Sequence, residues 1–434
     1  MALVISASAL AAAFAVLVVL PDAIGARAEY DYRSMIAQAS SGAVRMSVDS
    51  YERGWFSSTA VVTVDLGGRQ AVLNQEIYHG PFPLVGRNHS WLPVLAIVES
   101  KANLPLDLKS IIHLTTEGQP ALTATGFLYP GGSATVNVVI AAFTGGNPVS
   151  GSRIQFDGGQ CEWRLYREDI NASGRFEHFH YSAGSSQLDA SALSFQGNLH
   201  QDQSGLWIHD GIWRLRGLDF SLSSEPGTRM FPSHLAFQDM SVSSDDSISK
   251  GLLETDTRFV VRQITLPNGS TISSDLDWQL NNVDPHAVAD WVRENQSAAR
   301  SGLPVAQQVS ELERRAMILL VRLAKTAPKA TFRLELRGPS GLAASTLQAG
   351  VKPGLNVDGS DESDYQHLVR VLIDNYAYAS SEIIVPATLF TEVVGADEQN
   401  GLLARGLIVR EGSNFASRAT YYRNQIFVNG QTLN

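Results

Sequence analysis

Residues 44–66 read VRMSVDSYERGWFSSTAVVTVDL, and this stretch decides the fold class. Val44, Met46 and Val48 alternate with polar neighbours, and Thr59 to Leu66 is β-branched through its centre. Period-two patterning of this kind describes half-buried strands, here joined through Ser50 to Ser58.

The same pattern recurs at 70–78, 96–102, 110–116, 121–129, 135–143, 151–156, 160–168, 175–182 and 191–200. It continues at 212–222, 234–243, 255–264 and 270–280. Gly, Pro, Asn or Asp separates most of these runs, which is the spacing of antiparallel layers, and Pro267-Asn268-Gly269 is the clearest hairpin signal. At Asp284-Pro285 an N-cap precedes a proline at the first helical position, so a helix begins there. A second amphipathic helix is expected over 305–325, and a third over 364–374. Strands at 329–337, 342–352 and 382–385, helices at 386–394 and 401–409, and a hairpin of 419–422 with 425–428 around Arg423-Asn424 complete the chain. The expectation is α+β, predominantly antiparallel β: a curved sheet body, helices concentrated in the C-terminal third, and an N-terminal transmembrane helix. Three segments follow: 1–28 as anchor or signal, 29–283 as a β-rich domain with a candidate break near 145–150, and 284–434 as a mixed α+β domain.

The 434 residues are 44% apolar and 18% charged, an ordinary globular balance light in charge. With 33 Lys+Arg against 43 Asp+Glu the net charge is -10, which argues against nucleic acid as a partner because phosphate binding needs clustered cations. The single cysteine, Cys161, excludes an internal disulfide framework, a zinc ribbon and a C-x-x-C redox pair. Lying in a strand-like run, it reads as a small buried hydrophobe.

From Ala2 to Leu20 no residue is charged. At 1.5 Å per residue, about 19 helical residues cross a hydrocarbon core of about 30 Å, so the run reads as membrane-targeting. An uncleaved anchor and a cleaved signal both remain open, the latter because Ala26-Arg27-Ala28 fits a small-x-small processing site. Arg27 and Arg33 follow the run and no basic residue precedes it, a charge bias that by itself points the body inwards. No second run of about 18 apolar residues occurs, so the body is expected on one side of the membrane.

Catalytic signatures are sparse. There is no phosphate-binding G-x-x-x-x-G-K-[ST], no H-E-x-x-H and no G-x-S-x-G. Ser247-Ile248-Ser249-Lys250 matches S-x-x-K but reads as a solvated loop, because nothing around it resembles the start of a packed helix. His178 and His180 share a strand face, as metal ligands would, without a visible third ligand. Asp358 to Asp364 reads as helix capping rather than as a cation loop. No catalytic residue, cofactor or metal is assigned.

Two N-terminal segments are more distinctive: Tyr51-Glu52-Arg53-Gly54-Trp55-Phe56-Ser57-Ser58, and after a strand His79-Gly80-Pro81-Phe82-Pro83-Leu84. Together with the closing Asn424-Gln425-Ile426-Phe427-Val428-Asn429-Gly430-Gln431, they resemble the signatures of the YdgA-like bacterial envelope proteins, a family of unknown function also called domain-of-unknown-function family 945. The resemblance implies an inner-membrane-anchored, single-pass protein with its bulk in the periplasm, and carries no reaction or catalytic residue. The candidate recognition residues are Arg53, Gly54, Trp55, Phe56, His79, Gly80, Pro81 and Phe82. Physically, Gly54 permits a tight turn, Trp55, Phe56 and Phe82 are expected as core, and His79 as a satisfied turn residue. The expected role is a membrane-tethered scaffold or binding protein for an envelope protein, a polymer or a lipid, the oligomeric state being open. Lipid handling requires a continuous apolar trough, to which Val136, Val138, Val139, Ile140, Ala142 and Phe143 are candidates. A hydrolase with a dispersed site requires instead a polar cleft with shifted titratable groups.

Overall fold

The structure, a computed structural model, describes residues 29–30, 32–33, 36, 44–66, 69–80, 94–102, 112–116, 118–147, 149–167, 169–221, 234–266, 269–300, 305–354, 365–394 and 396–433. The apolar run 2–20, Pro81, Phe82 and Asp358 to Asp364 lie outside them. Among the described residues no helix is long and apolar enough to cross a membrane. The chain divides into two compact units, Met1–Asn198 and Leu199–Asn434, with the border inside one strand, Ser186–Gln201. The helix-bearing tail and the strands from Trp207 to Val283 belong to one unit.

In the first unit the strands are β1 (Val44–Arg53), β2 (Ser57–Leu66), β3 (Arg69–His79), β4 (Ala96–Ala102), β5 (Ile112–Leu114), β6 (Leu122–Leu128), β7 (Ala134–Ile140), β8 (Phe143–Asn147), β9 (Ser152–Phe156), β10 (Gly159–Tyr166), β11 (Asp169–Ala183) and β12 (Ser186–Gln201). Antiparallel pairing runs β1-β2-β3-β4-β6-β7-β10-β11. The expected strand 135–143 is two strands, because the chain kinks at Ala141-Ala142. Opposite it, β9 and β10 are parted by Asp157-Gly158, where Gly158 has φ +102. Each half keeps its partner, β7 with β10 and β8 with β9.

Alternation along β2 and its neighbours decides where the core sits. Ala60 and Val62 share a face with Ile77 and Ala96, and on this face Tyr32 and Ile36, from helical residues in 29–36, are buried. The Tyr32 hydroxyl donates to Gln75 Oε1, and Gln75 Nε2 donates to Ser100 Oγ at 2.7 Å, so these three polar side chains in the layer are linked. Tyr78, Val94 and Ile97 form a second cluster with Phe127 and Tyr129.

The second unit holds β13 (Trp207–Ser221), β14 (His234–Ser249), β15 (Leu252–Thr265) and β16 (Thr271–Val283), then α1 (Pro285–Arg300) and α2 (Val305–Ala324). It continues through β17 (Lys329–Gly338), β18 (Gly341–Val351), α3 (Tyr365–Val371) with a π-helical turn Leu372–Tyr376, β19 (Ala377–Pro386), α4 (Ala387–Val394) and α5 (Ala396–Ala404), and ends in β20 (Val409–Glu411), β21 (Asn414–Tyr422), β22 (Gln425–Val428) and β23 (Gln431–Leu433). Antiparallel neighbours run β13-β14-β15-β16-β17-β18-β19-β21. Asp284 caps α1 as its sequence predicts, Oδ1 accepting from the backbone N–H of His286 at 2.9 Å and of Ala287 at 3.4 Å. Arg322 on α2 reaches Asp290 on α1 at 3.0 Å.

Three expectations shift. Ser247 to Lys250 is not a loop: Ser247 and Ser249 end β14, and Lys250-Gly251, both at positive φ, turn the chain into β15. The strand expected at 382–385 is the C-terminal part of the ten-residue β19. The helix expected at 401–409 lies earlier, at Ala396–Ala404, because Gly406 at φ +68 closes it and returns backbone N–H groups to Leu402 and Leu403 carbonyls.

Candidate functional site

The described signature residues of 53–58 and 79–80 meet at one end of β1–β4. Gly54 turns the chain between β1 and β2, its N–H donating to Ser57 O at 2.9 Å; a Cβ there would stand 2.4 Å from that oxygen. The His79 N–H donates to Phe56 O at 2.8 Å and the Gly80 N–H to Leu95 O at 2.7 Å. A Cβ on Gly80 would fall 1.6 Å from Val94 O, so only glycine fits that approach. Arg53 pairs with Ser58 across the last rung of the hairpin.

The side chains reverse the expectation drawn from sequence. His79 is 2% exposed and Ser58 1%, with Ser58 Oγ 2.9 Å from His79 Nε2. His79 Nδ1 faces Trp55 O at 3.4 Å. A carbonyl only accepts, so the tautomer that suits both partners carries its proton on Nδ1 and accepts a hydrogen bond from the Ser58 hydroxyl on Nε2. Trp55 and Phe56, expected as core, are 54% and 45% exposed. The reason is position: Ser58, Ala60 and Val62 fill the inner face of β2, whereas Trp55 and Phe56 belong to the turn beyond the last paired residues, where strand alternation no longer directs side chains. Phe82 and Pro81 lie outside the described residues.

His178 and His180 share a β11 face as predicted, and both turn to one carboxylate. Asp189 Oδ2 lies 3.0 Å from His178 Nε2 and 3.2 Å from His180 Nδ1, while His178 Nδ1 is 3.5 Å from Asp157. Burial pushes the Asp189 carboxyl up, but the hydrogen bonds from His178 and His180 outweigh it and hold the group below the usual carboxylate range. Among the described residues no group of three or more His, Cys, Asp or Glu is placed to hold a metal ion. The cluster ties β11 and β12 to the β9–β10 connection.

Cys161 is buried, as its sequence context indicates, and burial pushes its thiol up, which keeps it neutral. It packs beside Gly174 and Phe195, where a Cβ on Gly174 would clash with both. An open hollow of ≈ 350 Å³ reaches this point, with Val138, Glu162 and Arg175 also in its wall. Beside it, Phe143, Phe156, Phe176 and Phe195 form a row of rings with centroids 5.4, 6.4 and 6.4 Å apart. Not all of 136–143 joins one apolar surface: Val136 and Val138 pair with Trp163 and Cys161, whereas Val139 alternates away and is 51% exposed.

The second unit carries a long apolar row. Directly opposed partners share a face, and the register aligns Trp213, Val242, Phe259, Leu276 and Leu334 in one row across five strands, continuing through Ser345 to Ile383. Two residues along lies the row Trp278, Phe332 and Leu347. At about 4.8 Å per strand, the seven strands from Trp213 to Ile383 span about 29 Å. Trp213, Trp278, Leu347 and Ile383 each remain more than two-fifths exposed on it. The alternate positions form the opposite row, Ser243, Arg258, Asp277, Arg333, Thr346, Glu382 and Arg418. That face is charged and internally paired: Arg258 meets Asp275 at 2.5 Å and Asp277 at 3.5 Å, and Arg418 meets Glu382 at 2.7 Å. The tryptophans and Leu347 carried no sequence signal as a site; the alternation was legible, but only the register aligns them.

No curated protein and no solved structure matches the chain. One family model does, over residues 2–434, described as a bacterial protein of unknown function. With the strand framework and the signature hairpin both in place, the chain belongs to that family, DUF945.

Proposed function

We propose that this protein is a membrane-tethered binding protein of the bacterial cell envelope, anchored in the inner membrane by its 2–20 segment with its bulk in the periplasm, and that the second unit binds lipid acyl chains along its apolar sheet face. The single observation that carries the reading is the exposure of Trp213, Trp278, Leu347 and Ile383 on one face whose reverse is charged. Water is a poor neighbour for such a row, and contiguous exposed apolar surface marks an interaction site. A face of aromatic and aliphatic side chains about 29 Å across suits an extended hydrocarbon, whose length is about that of half a bilayer or more. Scaffolding a protein partner would use the same face. A hydrolase reading would draw on Ser58 and His79, but a nucleophile and base at 1% and 2% exposure leave a substrate no approach.

The test is displacement of a fluorescent fatty acid or phospholipid from the purified protein. Leu347→Lys and Trp278→Lys should weaken binding strongly, while Arg333→Ala on the reverse face should leave it unchanged. Absence of saturable binding, or equal loss from both faces, overturns the reading. A reporter fused after Asn434 should respond as periplasmic, and a cytoplasmic response overturns the location.

A further inference from the structure

We propose that Tyr30, Trp55 and Phe56 form a lipid-contacting tip on the first unit, resting in the interfacial layer of the bilayer that holds the 2–20 segment; this rests on the anchor reading above.

The three side chains are 69%, 54% and 45% exposed, a concentration of aromatic surface beside the β1–β2 turn. They sit where the chain arrives. The Tyr32 ring lies 5.7 Å from that of Tyr51, the Arg33 guanidinium lies 5.7 Å over the Tyr51 ring, and Arg33 also pairs with Glu29 at 3.1 Å. Glu29 and Arg53 both act electrostatically on the Tyr51 hydroxyl. Tyr51 is two residues from Arg53, the last paired residue before the Trp55-Phe56 turn. The start of the helical residues therefore lies at the turn end of the β1–β2 hairpin.

Only eight residues, nine Cα–Cα steps, separate Leu20 from Glu29. Fully extended they reach about 30 Å, and less in any folded form, so an anchor ending at Leu20 keeps this end of the unit near the membrane surface. Tyr and Trp favour that layer because each presents an apolar body and a polar tip, and Arg33 and Arg53 beside them suit anionic headgroups. A second protein copy or another partner would explain exposed aromatics but not their position at the point where an apolar segment enters. The signature also gains a purpose: Gly54, His79 and Gly80 hold the turn rigidly while leaving its two aromatic side chains outside.

The experiment uses the full chain in vesicles of phosphatidylethanolamine and phosphatidylglycerol. Flotation is read first and reports the anchor. Phe56→Cys carries an environment-sensitive bimane, with Trp55→Cys as an independent neighbouring site and Val149→Cys, on a residue 94% exposed, as the control. Cys161 is buried and stays unlabelled. In the floated protein, bimane at 56 and 55 should shift to shorter wavelength and lose intensity when the lipids carry bromine near the glycerol end of their acyl chains, while bimane at 149 should do neither. Equal behaviour at all three sites overturns the tip while leaving the anchor standing. A shift without bromine quenching also overturns it, because the shield is then protein. Failure to float overturns the anchor reading, and the tip falls with it.

Discussion

Ser58 Oγ and His79 Nε2 lie 2.9 Å apart in a space closed to solvent, joining the first residues of β2 to the last of β3. Removing either partner leaves the other buried without its hydrogen bond, and removing the imidazole also leaves a cavity. His79→Ala should therefore cost about 2–4 kcal/mol, a large part of a total stability of about 5–15. Thermal or urea unfolding of the variant reads this directly. A loss within experimental error would mean that the pair does not hold the strands.

The aromatic neighbours should behave in the opposite way. Trp55→Ala and Phe56→Ala remove side chains already about half in water, so each should change stability by about 1 kcal/mol or less. Comparing their unfolding midpoints with that of His79→Ala tests the assignment of inside and outside at this turn.

Gly80→Ala should be the most damaging single methyl in the signature. The added carbon would overlap Val94 O, and both flanking backbone hydrogen bonds, His79 N–H to Phe56 O and Gly80 N–H to Leu95 O, resist the shift needed to relieve it. The measurement is soluble yield together with melting midpoint. A variant that melts with the native protein would show that the strand end can move.

Much of this fold was legible because its strands are amphipathic. The strand at 59–66 and the helix start at Asp284-Pro285 follow from alternation and capping alone. β19 was underestimated because Tyr378-Ala-Ser-Ser carries little strand propensity, and its pairing with β18 and β21 supplies what local sequence lacks. In the signature, the sequence located the residues but inverted their burial, since size was weighed above position. Counting back by two from Val62 through Ala60 places Ser58 on the inner face, but the same count would bury Phe56, so the exposure of the aromatic pair follows from the turn and not from alternation. The apolar rows of the second unit depend on register between strands dozens of residues apart, which no local pattern encodes.

Cys161 should be silent to a thiol reagent in the native protein. Burial keeps it protonated as well as covered, so labelling should require unfolding and should appear at once in denaturant. Because its folded pKa is raised, its contribution to stability is complete below the ordinary thiol value and is lost as pH rises through the folded one. Rapid native labelling would show that the hollow beside Phe195 opens to the sulfur.

The last prediction concerns acid. Asp189 is held below the usual carboxylate range in the folded protein, burial opposing and the hydrogen bonds from His178 and His180 prevailing. A depressed folded pKa means that the folded state releases its proton more readily than the unfolded state. The resulting stability is present above the unfolded carboxylate value of about 4, and is lost as pH falls through the folded value. Asp189→Asn should therefore melt below the native protein at neutral pH, and the gap should close as both are taken to strong acid. The imidazoles sharpen the test, since each uses one nitrogen on the same Oδ2, and an amide in that place offers a weaker acceptor. A gap between the two proteins that stays constant from neutral pH into strong acid would mean that Asp189 acts through its shape rather than its charge.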